Sequence, residues 1–121
     1  MAVRIFILFF MLSLNFMSSA ADSELPEKGK EVLVNCLEFP DVSYKIFIPE
    51  EYEPSRPCAI LYTFSPGGGG MVASHKCVND VTPAIIVGIT GTKNGRPEME
   101  YMGELYAIMW DTLARFNIDP A

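Results

Sequence analysis

The stretch Cys58-Ala59-Ile60-Leu61-Tyr62-Thr63-Phe64-Ser65-Pro66-Gly67-Gly68-Gly69-Gly70 decides how the chain reads. Its first seven residues carry no charge and form a continuous apolar run, the pattern of a strand buried on both faces. Pro66 stops that strand, and four glycines follow. Glycine has no Cβ and accepts φ > 0, so such a loop can bring backbone N–H groups close to a ligand. N–H groups on a strand-to-helix loop attract negative charge, whether phosphate, carboxylate or a developing oxyanion. The structural alternative is a tight turn that only glycine can make. Four in sequence exceed what a turn usually needs, because each costs unfolded-chain entropy.

Downstream, Met71 to Val78 reads as a short helix. Pro83 and Ala84 lead into Ile85-Ile86-Val87-Gly88-Ile89-Thr90, a second fully apolar strand, and Gly91 to Pro97 is a loop. Glu98 to Phe116 is the strongest helix. Met99, Met102, Leu105, Tyr106, Met109, Leu113 and Phe116 recur every three or four residues, which assigns Glu100, Glu104, Asp111 and Arg115 to the opposite, solvated side. Asp111 and Arg115 then form a surface i,i+4 pair. Pro97 suits the first turn, Asn117 closes the end and Pro120 forbids continuation.

Upstream, Glu31 to Cys36 alternates around Val32, Leu33 and Val34. Ser43 to Ile48 alternates more clearly, with Tyr44, Ile46 and Ile48 on one face and Lys45 and Phe47 on the other. Pro40 and Asp41 mark a turn between these runs, so they form an antiparallel pair. Two apolar strands joined through a helix form a parallel pair with a right-handed crossover. The expected fold class is α/β, an antiparallel pair leading into two parallel strands with helices.

The first residues read as a processing signal. Arg4 precedes the apolar run Ile5 to Leu14, and Ser18-Ser19-Ala20-Ala21 supplies small residues at cleavage spacing. The run is too short to span a bilayer, which needs about 20 residues. The expectation is a signal peptide over 1–21, one domain over 22–121, and a secreted or periplasmic product with no membrane contact in its mature form. The formal net charge of the 121 residues is −6, and cleavage removes only Arg4 among the charges. That surface repels nucleic acid and anionic lipid. Cys36, Cys58 and Cys77 cannot all pair within one chain; their spacings match no zinc site and His75 has no partner at ligand spacing. They read as buried apolar thiols, and no metal or cofactor is expected.

Ligands of parallel α/β sheets bind at the carboxyl ends of the strands, where Ser65 to Gly70 lies. A nucleotide phosphate loop requires Gly-Lys-Ser/Thr, but Met71 and Val72 follow Gly70. A dinucleotide fingerprint requires a third glycine where Val72 stands. An oxyanion hole remains. It uses preorganised backbone N–H groups, each worth about 3 kcal/mol to the transition state. In α/β-hydrolases one donor comes from the loop after the third strand.

Tyr44-Lys45-Ile46-Phe47-Ile48-Pro49, then Glu51-Tyr52-Glu53-Pro54-Ser55-Arg56-Pro57, then the apolar strand and the glycines resemble the N-terminal part of secreted α/β-hydrolases of the polyhydroxybutyrate-depolymerase and feruloyl-esterase type. The resemblance rests on order and spacing over roughly two thirds of the chain. It implies a partial α/β-hydrolase sheet, a serine carboxylic-ester hydrolase with a Ser-His-Asp mechanism, and Gly67 and Gly68 as oxyanion donors. Two departures matter. Pro66 stands where the family usually has His. No Gly-x-Ser-x-Gly occurs, so Ser65 and Ser74 are poor nucleophiles, and nothing in the family places its base at His75.

The chain therefore reads as the front portion of an esterase, with no catalytic residue of its own and inactive alone. An ester substrate is expected only where the C-terminal part of the family's domain is present. In the family's sheet the nucleophile strand lies beside the strand matching Cys58–Phe64; without it that strand is an open apolar edge. The alternative is a small exported non-enzymatic protein, binding or structural, in which the glycines form a ligand turn or a connection. A weaker variant is an anion-binding module using the same N–H groups.

Overall fold

A computed structural model describes residues 24–120; the expected signal peptide, 1–21, lies outside them. Four strands form one mixed sheet: β1 (Glu31–Asn35), β2 (Ser43–Phe47), β3 (Ala59–Phe64) and β4 (Ala84–Ile89). Their order is β1-β2-β4-β3. β2 is antiparallel to both β1 and β4, whereas β3 and β4 are parallel. The antiparallel pair leading into a parallel pair is thus as expected, and the class is α/β.

The period-2 pattern of β2 is carried through the register. Tyr44 pairs with Ile89 and Ile46 with Val87, while Tyr62 of β3 flanks Val87 from the other side. These side chains share one face, and helix α2 (Glu98–Arg115) covers it with Ala107 and Ile108, joined by Phe116 just beyond its end. Phe47, Ile86 and Gly88 belong to the opposite face. Helix α1 (Val72–His75) and the 3₁₀ turn Lys76–Asp80 cover that side, with Val72 against Gly88 and the Lys76 ammonium 5.0 Å over the Phe47 ring. The expected helix Met71–Val78 is therefore a single α turn that tightens into 3₁₀. Every residue of β4 is buried. Each fully buried Ile or Val contributes about 1.5–3 kcal/mol relative to exposure.

Three expectations need correction. β3 is not buried on both faces: it lies at the sheet edge, and most of its residues are partly or fully exposed. An apolar run alone does not report how many neighbours a strand has. The helix stripe is also rotated. Met99, Tyr106, Trp110 and Leu113 are exposed, while Ala107, Ile108, Asp111 and Thr112 face the sheet. Asp111 and Arg115 are consequently an interior pair. Finally, Cys77 is exposed, although Cys36 and Cys58 are buried; all three thiols are free.

The Asp111 pair fastens α2 to the sheet's first two strands. Asp111 accepts from the Tyr44 phenol at 2.6 Å and from the Leu37 backbone N–H at 2.8 Å. Arg115 Nε lies 2.9 Å from Asp111 Oδ2 but is not aligned for a hydrogen bond, and another guanidinium nitrogen donates to Asn35 O at 2.7 Å. Burial, then the bond to Asp111, pushes the Tyr44 phenol far up. Burial, then the Asp111 charge, pushes the Cys36 thiol up to about 11, so it stays protonated at neutral pH.

Candidate functional site

Two loops meet at the carboxyl ends of the parallel strands. The first, Ser65 to Gly70, leaves β3; the second, 90–97, leaves β4. They are stitched together by an antiparallel bridge between Gly67 and Lys93 and by the Asn94 N–H donating to Pro66 O at 3.0 Å. The second loop is held against α2 by Arg96. Its guanidinium donates to Gly91 O at 2.8 Å and to both Glu104 oxygens at 2.8 and 3.0 Å, with Glu100 at 3.5 Å. The hydrogen bond to Glu104 raises the Arg96 pKa further above its ordinary value.

The four glycines divide into two kinds. Gly68 has φ +77°, and a Cβ there would lie 2.9 Å from Thr90 O. Gly70 has φ +75°, and a Cβ there would meet the Gly88 backbone at 2.9 Å. The pair Gly70–Gly88 lets the loop lie directly on the central strand, and Thr63 Oγ1 donates to Gly70 O to fasten it there. Those two glycines are required by the fold. Gly67 and Gly69 are not: a Cβ at either meets nothing closer than Ser65 Oγ, at 3.8 and 4.0 Å. Met71, with φ +47°, then turns the chain into α1.

The two expected oxyanion donors differ in what they already hold. Gly68 N–H closes a turn onto Ser65 O at 2.9 Å. Among the described residues Gly67 N–H makes only a long, exposed contact of 3.3 Å to Ser65 Oγ. Gly67 is therefore the more readily re-aimed donor. His75 is occupied locally, its Nδ1 2.8 Å from Met71 O. Ser74 lies exposed on α1, on the far side of the glycines in sequence.

Between the loops is an open cleft of about 330 Å³. Phe64 and Pro66 give it an apolar floor, and Ser65, Thr92, Lys93, Asn94 and Tyr101 line the rest. Sequence reasoning singled out Ser65 and the glycines but passed over the second loop. The signal was present: parallel pairing of the two apolar strands brings both of their carboxyl-end loops to the same place. A larger hollow of about 480 Å³ lies at the start of β3, lined in part by Glu51, Arg56, Cys58 and Thr82, away from the glycines. Comparison with protein-family models, curated proteins and solved structures finds no match to this chain.

Proposed function

We propose that this chain is the front portion of an exported serine carboxylic-ester hydrolase, and that its glycine loop supplies an oxyanion donor to a nucleophile carried by a further strand. One observation carries the reading. Beyond α2, the chain comes back to the outer edge of β3 and begins to pair with it in parallel. Cys58 N–H donates to Asn117 O and Asp119 N–H donates to Cys58 O, both at 2.9 Å, with Ile118 bridged to Cys58. Phe64 lies six residues beyond Cys58 along β3. A strand kept in this register thus draws level with Phe64 six residues beyond Ile118, beside Ser65 and the glycines. That is where a nucleophile following a fifth strand would meet a donor from the loop after the third.

The N–H of Gly67 is the donor this reading favours, with Gly68 second because its N–H is engaged in the turn. An exchange of Ser65 Oγ for an oxyanion would cost Gly67 little, and a preorganised donor is worth about 3 kcal/mol in the transition state. Export through residues 1–21 belongs to the same proposal. The structural role of Gly68 and Gly70 favours the second reading, a non-enzymatic exported protein in which the glycines serve the fold.

Expression of the gene through its own stop codon separates the two. The expected outcome is a longer product that hydrolyses p-nitrophenyl acetate and is labelled by a fluorophosphonate at a Gly-x-Ser-x-Gly serine, while the 121-residue chain does neither. Turnover by the 121-residue chain that a serine-directed inhibitor abolishes would overturn the proposal. So would a longer product without such a serine, or a reading frame that stops after Ala121.

A further inference from the structure

We propose that the cleft between the two carboxyl-end loops binds a small carboxylate with a flat apolar body. This goes beyond ester hydrolysis, since it requires no nucleophile.

The charge census points to Lys93. Among the described residues, the other cations are all engaged. Lys28 donates to Tyr52 O, and Lys30 and Lys45 pair with Glu27 and Glu31. Arg56 pairs with Glu53, Lys76 lies over Phe47, Arg96 is clamped by Glu100 and Glu104, and Arg115 sits on Asp111. No carboxylate of the described residues lies within ion-pair distance of Lys93, although the chain has 15 acidic side chains to 9 basic. It lines the cleft, and none of the described residues lining the cleft is acidic.

The rest of the lining suits the same ligand. Ser65 and Tyr101 offer hydroxyls and Asn94 an amide, all able to donate to a carboxylate, whereas the Thr92 hydroxyl donates to Ile89 O at 3.4 Å. A single ammonium with neutral donors matches one negative charge. Phe64 is 46% exposed at the cleft although it ends an apolar strand. With Pro66 it offers a flat apolar surface, the usual complement to a few placed polar groups in small-molecule sites. Gly67 and Gly69 follow Pro66 on the same loop, outside the cleft's own lining, and no neighbour among the described residues forbids a side chain at either. A bare backbone beside the cleft leaves room for close approach of a ligand.

The clamp keeps this arrangement in place without ligand. Arg96 fixes the second loop to α2, and that loop is bridged to Gly67 through Lys93. The Lys93 stem lies across Gly68, where a Cβ would stand 3.6 Å from Lys93 Cβ. The ligand therefore meets a preformed cleft and does not have to order two loops.

The test is a titration of the 121-residue chain with benzoate and with its neutral isostere benzamide, followed by backbone amide chemical shifts. Benzoate is expected to shift the amides of Gly67, Gly69, Lys93 and Asn94 saturably, and to bind about tenfold tighter than benzamide. Lys93→Met should remove that preference, whereas Lys30→Met, which alters the net charge equally at a distance, should leave it. Equal binding of the two probes, shifts centred elsewhere, or a preference that survives Lys93→Met would overturn the proposal. None of these outcomes depends on esterase activity, so failure here is distinguishable from failure of the hydrolase reading.

Discussion

β3 and β4 are made of nearly the same material and lie side by side in parallel, yet they occupy different environments. Leu61 and Ile86 are direct partners on the same face; Ile86 is fully buried and Leu61 only partly so. β4 has a strand on each side and a helix layer on each face. Among the described residues β3 has one neighbouring strand, and its outer edge is taken only at Cys58. The difference shows that the apolarity of a strand does not fix its exposure, which follows from how many neighbours it has. A strand as apolar as β3 at an open edge lacks the charge, proline or bulge that usually protects such edges.

The pair Leu61 and Ile86 gives the largest test of this contrast. Ile86→Ala leaves a cavity between β4 and the layer around α1 and should cost about 2–5 kcal/mol. Leu61→Ala, one strand away in the same register, should cost roughly 1 kcal/mol, because partly hydrated surface loses less on truncation. Urea denaturation of the two variants measures both. Equal costs would mean that β3 is as enclosed as β4 in solution, through self-association at its edge.

Amide exchange tests the same contrast at the backbone. Successive residues of a strand turn their N–H groups to opposite sides. Cys58 turns its own toward Asn117, away from β4. The N–H groups of Ile60, Tyr62 and Phe64 therefore face the open edge, and those of Ala59, Leu61 and Thr63 face β4. The first set should exchange at least about a hundredfold faster than the second, whereas no such alternation should occur along β4. A longer product whose fifth strand continues from Ile118 should erase the alternation in β3. Uniform protection of β3 in the 121-residue chain would show that something already covers the edge.

Much of this was legible in the residues because each element announces itself by period. The alternation of Tyr44, Ile46 and Ile48 gave the inner face of β2, and the flanking Pro97 and Pro120 bracketed α2. What was hidden depends on partners far along the chain. Asp111 and Arg115 look like a surface pair on a helical wheel, but the Tyr44 phenol and the Leu37 N–H give the carboxylate an interior to satisfy. Without knowledge of those donors a buried carboxylate is not expected, since its desolvation is costly. Equally, four consecutive glycines look alike in sequence. Only the closeness of Gly88 to Gly70, and of Thr90 O to Gly68, separates those the fold requires from those it does not. Lys93 was not singled out because a lysine in a loop is ordinary until every other cation of the described residues has been assigned a partner.

The smallest effect concerns the tie between the edge strand and α2. Tyr62 of β3 lies 2.7 Å from Thr112 Oγ1, which already has Ile108 O as acceptor for its own proton at 3.0 Å, so the phenol donates. Tyr62→Phe should cost about 0.5–1.5 kcal/mol at neutral pH, the net value of one such hydrogen bond. Its pH dependence carries the sharper information. Burial raises the Tyr62 pKa in the fold above the ordinary value of 10.0. The unfolded chain releases this proton near pH 10 while the folded chain keeps it, so the fold binds more protons and its stability falls as pH rises above 10. Below pH 10 the phenol is neutral in both states and the stability is fully present. Tyr44 shifts the same way and further, so alkaline loss should persist in the Tyr62→Phe variant but with a shallower slope. Denaturation midpoints between pH 9 and 11 measure it. An unchanged slope would mean that Tyr62 swings to water, and that β3 lacks a hydrogen-bonded tie to α2.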